Sequence, residues 1–224
     1  VYSLKGYAIP EGSRTSRGQA IINILNLNSG EKITEIMSLS ELGETDQIVL
    51  QTKNGKIKKT DANNFTSIQR NGIIAIGLEE DDKLISARHI EKEEELIIST
   101  KNGMAIQFNT EDVRSMGRQA RGVRAIKLNT DDEVVSMNIK GTETYLLVVT
   151  ENGFGKKTSF NNFNNQNRGG KGIRCHKVTE KTGCVVDTLP VDLDDDVLMV
   201  SLNGDMIRIT AKDISTTGRN TMGV

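Results

Sequence analysis

IVLQTKNGKIKKT, residues 48 to 60, sets two short β-prone runs on either side of an Asn-Gly pair. Asn-Gly between such runs predicts a β-hairpin, because a type I′ turn needs positive φ at both central residues. The pattern returns as LIISTKNGMAIQF at 96 to 108, LLVVTENGFGKKT at 146 to 158 and VLMVSLNGDMIRIT at 197 to 210. Hairpins are therefore expected at Asn54-Gly55, Asn102-Gly103, Asn152-Gly153 and Asn203-Gly204, spaced 48, 50 and 51 residues apart. A constant period of this size is an internal repeat.

A second landmark keeps the same beat. Each hairpin is followed by a polar stretch, a basic residue and a glycine that opens another β-like run. These are Gly18 in SRTSRGQAI, Gly72 in IQRNGIIAI, Gly122 in GRQARGVRAI, Gly172 in NRGGKGIRC and Gly223 in GRNTMGV. Acidic stretches such as EEDDKLIS (79–86) and NTDDEVVS (129–136) come next. About four short strands per repeat and no long amphipathic helix predict an all-β, propeller-like array of four-stranded blades, about 50 residues each. Residues 1–224 read as one repeat domain with five glycine-loop halves and four Asn-Gly hairpins, so a blade is expected to be cut at both ends. The start without Met suggests a piece of something longer.

Composition excludes several classes. No run of eighteen apolar residues is present, and the N-terminus lacks a charged start followed by an apolar block, so neither a membrane helix nor a secretory signal is expected. Cys175 and Cys184 form no Cys-x-x-Cys, and with His89 and His176 as the only histidines a zinc site has too few ligands; reduced cysteines in a cytoplasmic protein are expected. No nucleophile stands beside either histidine in a way that suggests a catalytic triad. Tyr2, Tyr7 and Tyr145 read as packing residues, and no catalytic residue, metal ligand or cofactor is assigned. Gly-Gly-Lys-Gly at 169–172 invites a nucleotide-binding reading, but a P-loop continues with Ser or Thr and a helix, whereas IRCHKV reads as a strand.

Net charge is −1, which alone argues against a nucleic-acid partner. Sorting charge by repeat phase reverses that conclusion. The post-hairpin and glycine-loop segments (1–24, 53–74, 101–124, 151–174, 203–224) hold 21 basic and 7 acidic residues, net +14. The intervening segments hold 8 and 23, net −15. Because phase becomes position in a repeat array, a basic belt is expected along one surface. With no Trp and 4% aromatics, stacking on single strands is poorly supplied, so duplex DNA gripped through its phosphates is the better partner. Candidate contacts are Arg14, Arg17, Lys56, Lys58, Lys59, Arg70, Arg114, Arg118, Arg121, Arg124, Lys156 and Lys157. The later repeats add Gln166, Arg168, Gly169, Gly170, Lys171, Gly172 and Arg174, then Arg208, Lys212 and Arg219. A scaffold binding protein partners through one face is the alternative, and would need a large exposed apolar patch.

VYSLKGYAIPEGSRTSRGQAIINIL at 1–25, NGKIKKT, NGFGKKT and DISTTGRNTMGV at 213–224 resemble, in the same order, the C-terminal domain of the DNA gyrase A protein. The topoisomerase IV counterpart is the nearest alternative. The resemblance implies a β-pinwheel whose blades exchange strands and which wraps duplex DNA around its edge, giving negative supercoiling its direction. It implies a non-catalytic part of an ATP-dependent type IIA topoisomerase, partnered by the rest of the gyrase A protein and by the gyrase B protein in a heterotetramer on the bacterial nucleoid. The cleavage tyrosine and the sites for ATP and Mg lie in other regions. The family's box, Gln-Arg-Arg-Gly-Gly-Lys-Gly, belongs to the first blade; Gln166 to Gly172 differs from it at Asn167 and lies in a later one.

Overall fold

The computed structural model describes residues 1–13, 15–28, 30–38 and 43–224. Its strands are β1 (Gln47–Thr52), β2 (Lys56–Asp61), β3 (Leu84–Ile90), β4 (Glu95–Thr100), β5 (Met104–Asn109), β6 (Val123–Arg124) and β7 (Val134–Lys140). They continue as β8 (Tyr145–Thr150), β9 (Gly155–Ser159), β10 (Ile173–Arg174), β11 (Val185–Val191), β12 (Asp196–Val200) and β13 (Met206–Thr210). Helical structure among the described residues is limited to short 3₁₀ turns. The all-β expectation holds.

All four Asn-Gly pairs close antiparallel hairpins, β1–β2, β4–β5, β8–β9 and β12–β13. The turn type differs from expectation. Only the glycine is left-handed, at φ +80, +78, +79 and +89 for Gly55, Gly103, Gly153 and Gly204, and none of the four asparagines has positive φ. The glycine N–H donates to the carbonyl three residues back, as Gly55 does to Thr52 at 3.1 Å, which leaves the longer loop of a glycine bulge in place of a two-residue type I′ turn. The acidic runs fasten these tips. Asp82 Oδ1 accepts from the Asn54 N–H at 2.9 Å, and Asp132 accepts from the Asn102 N–H at 3.0 Å and the Thr100 hydroxyl at 2.8 Å.

The sheets run β3-β1-β2-β6, β10-β5-β4-β7, β11-β8-β9 and β12-β13. In the first two, an outer strand comes from the following repeat: β6 lies beyond β5 in sequence yet pairs with β2, and β10 lies beyond β9 yet pairs with β5. The third sheet is completed the same way, because Gly155 and Val224 exchange both backbone hydrogen bonds. Each of the first three blades is thus tied to the next by an exchanged strand, which it holds through backbone hydrogen bonds.

The blades stack face to face, and period-two alternation sends neighbouring residues into different cores. Val49 joins Leu96 and Ile98 between the first two sheets, while Ile48 and Leu50 pack on the opposite face. Ile97 joins Leu146 and Val148 between the second and third, and Leu147 meets Val197 between the third and fourth. Because both faces of the inner strands are covered, β1, β4 and β8 read as near-continuous apolar runs.

Candidate nucleic-acid interface

The glycine loops lie where one blade hands a strand to the next. The three that end at Gly122, Gly172 and Gly223 are laid along the second hairpin strand of the preceding repeat: the N–H groups of Met116, Gln166 and Thr217 donate to the carbonyls of Lys59, Gln107 and Lys157 at 2.8, 2.8 and 3.0 Å. The last glycine of each loop then passes against that strand's backbone. A Cβ on Gly122 would stand 2.5 Å from the Ile57 carbonyl oxygen, and one on Gly172 2.4 Å from that of Ala105; both residues also have positive φ, +83 and +71. Glycine is required on both counts.

Successive loops are also linked to one another. The carbonyls of Ala120, Gly170 and Thr221, each two residues before the repeat glycine, accept from the N–H groups of Gly77, Lys127 and Lys177 at 3.1, 2.8 and 3.0 Å. Those donors each lie five residues after the previous repeat glycine. The Arg168 guanidinium donates to the carbonyls of Asp112 and Arg124, and Arg219 donates to that of Arg174 at 3.1 Å. The loops therefore form one continuous strip of backbone running from blade to blade.

The basic side chains divide into two sets along this strip. Lys58, Lys59, Lys156 and Lys157, expected as phosphate contacts, are buried. Lys58 Nζ donates to the carbonyls of Ala75 and Arg118. Lys156 Nζ donates to Gly218 and Arg219 at 2.7 and 2.6 Å and to the Thr221 hydroxyl at 3.1 Å. Lys157 Nζ takes the carbonyls of Ala211 (2.8 Å), Lys212 (3.2 Å) and Ile214 (2.6 Å) at the end of the 3₁₀ turn Ala211–Asp213; the Ala211 carbonyl also accepts the Ile214 N–H at 3.1 Å. Lys59 pairs with Glu93 at 2.7 Å. Lys58 and Lys156 thus hold the loops from beneath, Lys157 holds the turn that leads into the last loop and Lys59 holds a carboxylate. Stacking explains the burial: the middles of β2 and β9 are covered on both faces, so the lysines there do not reach solvent.

Other candidates are also engaged inside the chain. Arg168 is half-buried on its two carbonyls, Arg208 pairs with Asp196, and Lys56 lies 3.8 Å from Glu79. Gln166 Nε2 is buried without a partner among the described residues, and the Gly169 N–H donates to the Ala125 carbonyl at 2.7 Å. Arg14 lies outside the described residues. Arg17, Arg70, Arg114, Arg121, Arg124, Lys171, Arg174 and Lys212 are exposed, Arg118 is half-buried, and none of them enters an ion pair among the described residues. Lys127 and Lys177, which sequence reasoning missed, are exposed on the same strip. Their signal was their constant place five residues after Gly122 and Gly172, just beyond the basic segments that end at 124 and 174.

Burial sets the titration of the inner groups. Desolvation, with the Arg118 charge beside it, pulls Lys58 down to about 8, and desolvation likewise pulls Lys156 down to about 8. Lys157 is lowered for the same reason. Burial and the nearby Lys156 charge hold His176 down to about 4, and burial pushes the Cys175 thiol up to about 12, so it is not a nucleophile near neutral pH. No group of three His, Cys, Asp or Glu among the described residues is placed to hold a metal ion, and no helix there is long and apolar enough to cross a membrane.

The family model described as "DNA gyrase C-terminal domain, beta-propeller" matches residues 1–40, 46–91, 94–139, 144–192 and 195–224, one stretch per repeat. The DNA gyrase A protein of Halalkalibacterium halodurans is 54% identical over 224 residues, and those of Streptococcus pneumoniae serotype 4 and Clostridium acetobutylicum are 50% and 45% identical. Each alignment takes in the whole of this chain but 27% of the relative, so the chain spans about a quarter of their length. The solved structure of a DNA gyrase A C-terminal domain superposes with a TM-score of 0.85 at 32% identity, over 93% of this chain and 70% of that one. A topoisomerase IV C-terminal domain superposes at 0.86 with 22% identity, covering 92% of this chain and 65% of that one, a likeness of fold. With all five repeats matched in order and the strands exchanged between blades as they are, the chain belongs to the family of DNA gyrase A C-terminal domains.

Proposed function

We propose that the 224 residues form one non-catalytic domain that binds and bends duplex DNA, leading it along the strip of glycine loops. The observation that carries this reading is the linked belt itself: Arg121, Arg124, Lys127, Lys171, Arg174 and Lys177 are exposed, outside any described ion pair, and set at repeating positions on loops joined backbone to backbone. Bending 20 to 30 base pairs by 40 to 90° costs on the order of 1 to 6 kcal/mol, so the grip has to be distributed over many phosphates, which a repeated rim supplies. In the whole bacterial enzyme this domain would hand a curved DNA segment to the rest of the gyrase A protein and to the gyrase B protein in the cytoplasm. Strand cleavage and ATP use would belong to those regions.

The test is relaxation and religation of a plasmid in the presence of the chain. A shift of linking number of one sign marks chiral wrapping; binding with no shift reduces the function to a basic patch.

A further inference from the structure

Of the buried lysines only Lys59 forms an ion pair among the described residues; Lys157 still has the Asp213 carboxylate near enough to favour its charged form, whereas Lys58 and Lys156 have no carboxylate that does so. Lys58 is faced by Arg118 from the loop above it, by apolar Leu50 across the ladder and by the Ala75 carbonyl. Lys156 is faced by Arg219 from its loop, by Cys175 and His176 from the segment after Gly172, and by apolar Val148 across the ladder. A buried cation with another cation beside it is costly unless an anion completes the site.

The peptide geometry shows where that anion would sit. In a planar trans peptide the C=O and N–H point in opposite directions. The Arg118 carbonyl turned down onto Lys58 sends the Gln119 N–H outward, and the Gly218 and Arg219 carbonyls turned down onto Lys156 send the Arg219 and Asn220 N–H groups outward. None of these three N–H groups has an acceptor among the described residues, and Gln119 and Asn220 are exposed. At 219–220 two consecutive outward amides beside arginine make an anion-binding concavity, and at 119 a single outward amide stands beside Arg118, the next N–H, of Ala120, being bonded to Gly117. The loop at 166–172 is built otherwise: Ile106 occupies the place of Lys58 and Lys156, beneath Gly170, so no ammonium backs it.

We infer that the loops at Gln119 and at Arg219-Asn220 are phosphate-oxygen sites, each backed by a buried lysine whose counter-charge is the bound phosphate, so that DNA binding is accompanied by proton uptake. The inference rests on the DNA-binding reading. Below pH 7 both lysines are already charged in the free chain; as pH rises through about 8 they lose the proton, and a bound phosphate restores it.

Calorimetric titration of the chain with a 40-base-pair duplex, in buffers of different ionisation enthalpy at fixed salt, measures the uptake directly. Expected are little uptake at pH 7, about 1.5 protons per chain at pH 8.5, and an affinity that falls about tenfold per lysine between pH 7 and 9. The double variant Lys58→Met with Lys156→Met should bind more weakly at pH 7 and lose the uptake; each single variant should lose half. That comparison also separates the lysines from the Val1 amine, which burial lowers from its ordinary value of 8.0. Binding by the unaltered chain without uptake at pH 8.5 overturns the inference while leaving DNA binding standing, and so does uptake undiminished in the double variant. Failure to bind the duplex at all overturns the reading beneath it as well. The measurement on the unaltered chain decides even where the variants do not fold.

Discussion

Lys58 and Lys156 occupy the same position in two repeats and act oppositely to what a basic residue after a hairpin suggests. The charged end of such a side chain ordinarily reaches water while its stem packs; in these two the ammonium itself is enclosed and takes loop carbonyls. Those carbonyls replace part of the lost hydration and leave the charged form disfavoured, which fixes the direction of a pH effect. The folded chain releases the Lys58 proton near pH 8 while the unfolded chain holds it to 10.5. This contribution to stability is therefore fully present above pH 10.5 and lost as pH falls through 8. Thermal melts at about pH 7.5 and 9.5 should show the unaltered chain gaining stability relative to Lys58→Met on going to the higher pH. At both pH values the variant should be the less stable, by about 1–3 kcal/mol, because the Ala75 and Arg118 carbonyls lose their donor. A difference between the two proteins that does not change with pH would remove the titration from Lys58.

At the scale of the element, one turn motif recurs in four surroundings. Gly103 and Gly204 both follow the asparagine of a hairpin tip and both are left-handed, yet a Cβ on Gly103 would stand 2.4 Å from the His176 carbonyl oxygen, whereas nothing lies within 4 Å of one on Gly204. Gly204→Ala should cost about 1–2 kcal/mol, the left-handed penalty alone. Gly103→Ala adds displacement of the strand that follows Gly172, and should cost at least about 2 kcal/mol more. Urea denaturation of the two variants measures the difference, and equal losses would mean that the 103 tip can move away from its neighbour freely. The hairpins were legible because period-two runs flank each Asn-Gly. The turn type was not, since the asparagine keeps an ordinary φ and only the extra residue before the second strand distinguishes the two turns. Equally hidden was the function of the acidic runs, because the bonds from Asp82 to Asn54 and from Asp132 to Asn102 close over 28 and 30 residues.

For the molecule as a whole, the repeat made the blades and the belt readable in advance, since a fixed period places like residues on like positions. What the period could not supply was the direction of each side chain. Lys58, Lys59, Lys156 and Lys157 carry the same kind of side chain as Lys127 and Lys177, and only the stacking of a further blade decides which set is covered. This distinction has a measurable consequence in salt. Each exposed cation that neutralises a phosphate contributes about 0.9 to the slope of log affinity against log salt concentration. Replacing Lys127 or Lys177 by Ala should lower that slope by about 1 each and weaken binding alike across sequences. Lys157→Met also removes a basic group, but one engaged with the carbonyls of Ala211, Lys212 and Ile214, so it should destabilise the last repeat and leave the slope at temperatures well below the melt unchanged. Filter-binding or anisotropy titrations of the three variants between about 50 and 200 mM salt discriminate the cases. A slope that drops for Lys157→Met as far as for Lys127→Ala would place the buried lysine in the contact set, and the division of the belt into outer and inner cations would fall.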